Sequence, residues 1–76
     1  MRKAHGWDER ARRFIKAELK RQGVTYDELA KRLAEEGMEE TKASIASKIS
    51  RGAFPATFLL ASLKAIGTKT VRIEDI

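Results

Sequence analysis

The chain has 76 residues, 42% of them hydrophobic and 36% charged, with no cysteine, one histidine, five glycines and one proline. A chain this short buries only about 60% of the surface its unfolded form exposes, so residues 1–76 are expected to form one small domain that gains from dimerisation. The net charge of +5 favours a polyanionic partner, the lack of cysteine excludes disulfides and thiolate metal sites, and no apolar run approaches the ~20 residues that cross a bilayer; a cytoplasmic protein, neither exported nor in a membrane, is expected.

Trp7, Ala11, Phe14, Ile15 and Leu19 recur at intervals of three and four, which predicts a first helix over about residues 8–22. Gly23 suits the left-handed position that ends a helix, behind Lys20 and Arg21 at the carbonyl end of the dipole. Thr25 and Glu28 have the spacing of a capping box, and Val24 and Leu29 that of a hydrophobic staple across it. A second helix over about 26–36 follows, with Tyr26, Leu29, Ala30, Leu33 and Ala34 on its apolar face. Residues 37–40 read as a connector anchored by Met38.

Thr41 is placed to cap a third helix over about 42–51, stopped by Gly52, with Ile45, Ala46 and Ile49 inward. At about 100° per residue, Ala43, Ser44, Ser47, Ser50 and Arg51 fall on the opposite side and Lys42 and Lys48 on the flanks. Pro55 fits the first turn of a fourth helix over about 55–66, whose Phe58, Leu59, Leu63 and Ile66 supply core and beneath which Phe54 packs. Residues 68–76 are expected to be a short extended segment: Val71 and Ile73 alternate with charged residues, a pattern that fits either a short strand or an irregular strap.

Charge is segregated along the chain: residues 1–23 sum to +5, residues 24–40 to −4, and residues 41–67 carry Lys42, Lys48, Arg51 and Lys64 with no acid. Catalysis has little to be built from, because His5 has no partner His or Cys at ligand spacing. Glu35, Glu36, Glu39 and Glu40 lack the Asp and Gly positions of a calcium loop, and the glycines are spaced as helix stops, not as a phosphate cradle. No enzyme activity, metal or cofactor is therefore expected.

The arrangement that points to a function is the second helix, the connector and the third helix. A short cationic helix with small exposed side chains can enter the DNA major groove, about 12 Å wide, where Ala43, Ser44 and Ser47 permit close approach while Lys42, Lys48 and Arg51 reach phosphates or guanine edges. Thr25 at a capped helix N-terminus, and Arg10, Arg12, Arg13, Lys16, Lys20 and Arg21 along the first helix, are candidates for phosphate contact or steering. Of the aromatic residues, Trp7, Phe14, Phe54 and Phe58 read as core, which leaves Tyr26 alone as a stacking platform and disfavours RNA.

Thr25-Tyr26-Asp27-Glu28-Leu29-Ala30, then Lys48-Ile49-Ser50-Arg51-Gly52, Pro55 and Ala65-Ile66-Gly67, resemble the lambda-repressor-like (Cro/repressor type) helix-turn-helix family over about residues 9–76. Trp7, the run Glu9-Arg10-Ala11 and Lys16-Ala17-Glu18-Leu19-Lys20 are similar also to a small bacterial family of unknown function. The resemblance implies an all-α domain of four to five helices, with base-facing positions at Lys42, Ala43, Ser44, Ser47 and Lys48. The stretch from Ala30 to Ile45 exceeds the usual pattern, which implies a lengthened turn and brings Glu35, Glu36, Glu39 and Glu40 near the DNA backbone in repressor-like docking. The expectation is a homodimeric regulator of double-stranded DNA located at the nucleoid, with Val71, Ile73 and Ile76 as dimer surface. The alternative is a protein-interaction module of the same fold that uses the acidic connector and the tail.

Overall fold

The computed structural model describes residues 6–76, so His5 lies outside the described residues. Four helices, α1 (Trp7–Gln22), α2 (Tyr26–Glu35), α3 (Lys42–Arg51) and α4 (Ala56–Ile66), are followed by a single 3₁₀ turn at Ile73–Asp75. The described residues contain no strand. Both α3 and α4 pack against α1 and α2, and the four helices close over Ile15, Leu19, Val24, Leu29, Leu33, Ile45, Ile49, Phe58 and Ile66.

The turn between α1 and α2 shows how few residues set this geometry. Gly23 takes φ 69°, the Val24 amide donates back to the Leu19 carbonyl at 2.9 Å, and Gly23 itself donates to Lys20. This is the Schellman pattern, whose following residue packs on the helix it closes. Val24 is that residue, and it also precedes the Thr25 cap of α2 and is buried beside Leu29. One valine thus staples two helices.

At the far end of α1 the contact is closer still. Gly52 ends α3 with φ 70°, and a Cβ there would lie 2.1 Å from the Asp8 carbonyl oxygen. The α3 C-terminus can sit on the first turn of α1 only because position 52 has no side chain. Arg12 on α1 reaches the same place, its Nη1 donating to the Ser50 carbonyl at 2.8 Å and its other nitrogen pairing with Glu9. Arg32 on α2 serves α4 likewise, donating to the Ala65 carbonyl at 3.2 Å. A cation at the carbonyl end of each helix satisfies acceptors the helix cannot and opposes its dipole.

Three expectations need correction. Trp7, expected in the core, is 58% exposed. α3 meets this end of α1 through Gly52, which has no side chain to cover an indole, and the Arg10 guanidinium stacks on the ring at 4.1 Å instead. Pro55 is the N-cap of α4 and not part of its first turn. The C-terminal segment is neither a strand nor wholly extended. With no strand beside it among the described residues, it curls where Arg72 pairs with Glu74 and Asp75 and the Asp75 amide donates to the Arg72 carbonyl at 3.0 Å. The segment is tied to α1 at two points, Thr68 Oγ1 donating to the buried Glu18 carboxylate at 2.8 Å and Arg10 donating to the Ile76 carbonyl at 2.6 Å.

Two stability outcomes are expected in urea unfolding. Gly52→Ala costs more than Gly23→Ala: the latter has no atom within 4 Å of its new Cβ and incurs only the left-handed penalty of about 1–2 kcal/mol, while the former adds a backbone clash. Ser62, fully buried with no partner for its hydroxyl among the described residues, is predicted to tolerate or gain from Ser62→Ala, by up to about 1 kcal/mol.

Candidate nucleic-acid interface

The segment singled out by the sequence lies between the two capped helix starts. Thr25 Oγ1 accepts the Glu28 amide at 3.1 Å, but the Glu28 carboxylate does not reach back to complete the predicted box; it pairs with Arg32 one turn on, at 3.1 Å. The reciprocal box forms at α3 instead. Thr41 Oγ1 accepts the Ser44 amide at 3.0 Å, and Ser44 Oγ accepts the Thr41 amide at 2.8 Å.

This capping sets what α3 shows to solvent. Lys42, Ala43, Ser47, Ser50 and Arg51 are exposed, a surface without an acid. Arg51 Nη1 donates to Ser47 Oγ at 2.9 Å, which holds the guanidinium along the helix. Lys42 comes within 3.9 Å of Asp27, both side chains well solvated, a contact that water and salt largely screen.

Ser44 and Lys48 are placed differently. The Ser44 hydroxyl donates to Glu40 Oε1 at 2.6 Å, and Lys48 Nζ lies 3.1 Å from the same oxygen. The Lys48 side chain is 25% exposed and that of Glu40 10%, and the ammonium also lies 5.7 Å from the centre of the Phe58 ring. Glu36 pairs with Lys64 at 3.7 Å. Of the four acids between residues 35 and 40, Glu40 is therefore neutralised within the domain, Glu36 makes only a loose, solvated contact with Lys64, and Glu35 and Glu39 are exposed.

The basic residues of α1 divide in the same way. Arg12 is spent on the end of α3, and Arg21 lies 3.1 Å from Glu18. Arg13 has a loose 3.8 Å contact with Glu9, and Lys16 and Lys20 are exposed with no ion pair among the described residues. Between α1 and the tail runs a groove of about 410 Å³ lined by Arg10, Arg13, Phe14, Val71 and Ile76 among others. Val71 and Ile76 thus face α1, whereas Ile73 points to solvent at 73% exposure.

Sequence reasoning missed the roles of Glu40 and Arg12. The first left a signal, since Glu40, Ser44 and Lys48 are spaced by four, the interval that stacks side chains on one helix face. The second left none, because its partner is a backbone carbonyl 38 residues away. No group of three His, Cys, Asp or Glu side chains that could hold a metal ion occurs among the described residues.

A family model described as "Domain of unknown function (DUF6471)" matches residues 7–71. The chain belongs to this family. The DUF6471 match takes in all four helices and stops before the 3₁₀ turn. No curated protein and no solved structure matches the chain. No described helix of this DUF6471 domain is long and apolar enough to cross a membrane.

Because Thr41 caps α3 through a reciprocal pair, Thr41→Ala is expected to destabilise the domain by about 1 kcal/mol in chemical denaturation.

Proposed function

We propose that this DUF6471 domain is a DNA-binding transcriptional regulator of the lambda-repressor-like type, in which α2, the connector and α3 act as a helix-turn-helix and α3 enters the major groove. The observation that carries this reading is the acid-free exposed face of α3, where Ala43 and Ser47 permit close approach between Lys42 and Arg51. The pairing of Glu40 with Lys48 supports it, since this acid does not present bare charge to a phosphate backbone. Arg13, Lys16 and Lys20, free of close ion pairs, supply long-range steering. The protein works as a homodimer at the nucleoid, with solvent-facing Ile73 in the contact beside Val71 and Ile76, which line the groove against α1, and needs neither cofactor nor catalytic group.

A protein-interaction module is the competing reading, favoured by Trp7, Leu60 and Ile73, large apolar side chains each more than half exposed. Selection of bound duplexes from a random library at about 150 mM salt, where non-specific electrostatic binding is weakened, separates the two. A two-fold symmetric motif is the expected result, and retention of no duplex would favour the module. Within the DNA reading, Arg51→Ala weakens binding to all sequences and flattens the dependence of log affinity on log salt by about 0.9. Ser47→Ala changes preference at one base position, and partly shares the Arg51 phenotype because its hydroxyl orients that guanidinium.

A further inference from the structure

Resting on the DNA-binding reading of α3, we infer that Glu40 is a positioning residue, a fixed counter-charge that withdraws Lys48 and Ser44 from the groove-facing surface and leaves α3 to contact a duplex through Lys42, Ala43, Ser47 and Arg51. By residue type and helical phase all six belong to one recognition surface. The geometry divides them into four that solvent reaches and two that Glu40 holds.

The Ser44 hydroxyl has a single proton and two internal acceptors, Glu40 Oε1 at 2.6 Å and the Thr41 carbonyl at 3.0 Å, of which the carboxylate is the nearer, while the Thr41 amide takes one of its lone pairs at 2.8 Å. Ser44 therefore offers no donor to a base edge without giving up the contact that anchors the connector. The Lys48 ammonium meets the same carboxylate oxygen at 3.1 Å and lies against the Phe58 ring. With the Glu40 side chain only 10% exposed, water and salt screen this attraction far less than they screen the Lys42–Asp27 contact. A phosphate that recruited Lys48 would leave a carboxylate nearly buried and unpaired, which opposes the exchange. The same pairing explains how an acid next to the α3 N-terminus is compatible with a polyanion: its charge is already met from within.

Two measurements on the full chain decide the matter. The first is trace acylation of lysines read by mass spectrometry, which needs no DNA. Lys48 is expected to react several-fold more slowly than Lys42, and Glu40→Gln, which keeps an acceptor for Ser44 but removes the charge, is expected to raise the Lys48 rate toward that of Lys42. Equal rates in the unsubstituted protein would overturn the proposal.

The second is the salt dependence of duplex binding. The charge-neutral Glu40→Gln/Lys48→Gln pair is expected to leave the slope unchanged, whereas Glu40→Gln alone frees one cation for phosphate and steepens it by about 0.9, so that its advantage over the unsubstituted protein grows about threefold from 200 to 50 mM salt. If the double variant flattens the slope as Lys42→Gln does, Lys48 already contacts phosphate and the proposal is wrong. If the unsubstituted protein binds no duplex while Lys48 is still protected from acylation, the reading of α3 fails and the Glu40 contacts are purely structural.

Discussion

The placement of α3 depends on one close contact. Its C-cap, Gly52, packs against the Asp8 backbone of α1 at a distance that excludes even a β-carbon, and the chain reaches that position in a left-handed conformation that glycine adopts without strain. Arg12 adds a hydrogen bond to the Ser50 carbonyl, so the carbonyl end of α3 is fixed to α1 by backbone packing and a cation together. Its amide end is fixed separately, by the Thr41–Ser44 pair and the Glu40 carboxylate that joins Ser44 to Lys48. Between these two clamps only Ile45 and Ile49 are buried, which leaves the opposite face free of packing duties. A ten-residue helix held by its ends in this way can present small side chains outward without losing its place in the core.

Local chemistry decided which parts of this could be read in advance. The four helices and most of their ends follow from short-range signals: glycines that close helices, threonines that open α2 and α3, the proline before α4, and apolar residues at helical spacing. Val24 is the clearest case, predicted as a staple and found buried between the two helices it joins. Trp7 misled because periodicity reports which side of a helix a residue occupies and not how far along it the neighbouring helices extend. The C-terminal segment misled for a related reason. Its alternating pattern suits a strand, but a strand needs a partner for its backbone groups, and the described residues supply none.

The candidate surface was half legible. Helical phase assigned Lys42, Ala43, Ser47 and Arg51 to the outside of α3, where they lie. Phase within α3 alone does not show that Ser44 serves as cap partner to Thr41 or that Lys48 is captured by a connector glutamate; the second shows only in the four-residue spacing of Glu40, Ser44 and Lys48, continued past the start of the helix. The charge segments of the sequence likewise say little about net availability. Pairing removes cations and acids together, Arg12 with Glu9, Arg21 with Glu18, Arg32 with Glu28 and Lys48 with Glu40, and the exposed cations that remain include Lys16, Lys20 and the loosely paired Arg13 on α1 and Lys42 and Arg51 on α3. That distribution, more than the total of +5, makes a polyanionic partner the better reading of this member of its family.

The most direct test of that reading is to titrate uniformly labelled protein with a short duplex and map the backbone amide shifts residue by residue. The account predicts that the largest changes fall at Lys42, Ala43, Ser47 and Arg51. Shifts confined to the groove between α1 and the tail, or no shifts at all, would contradict it.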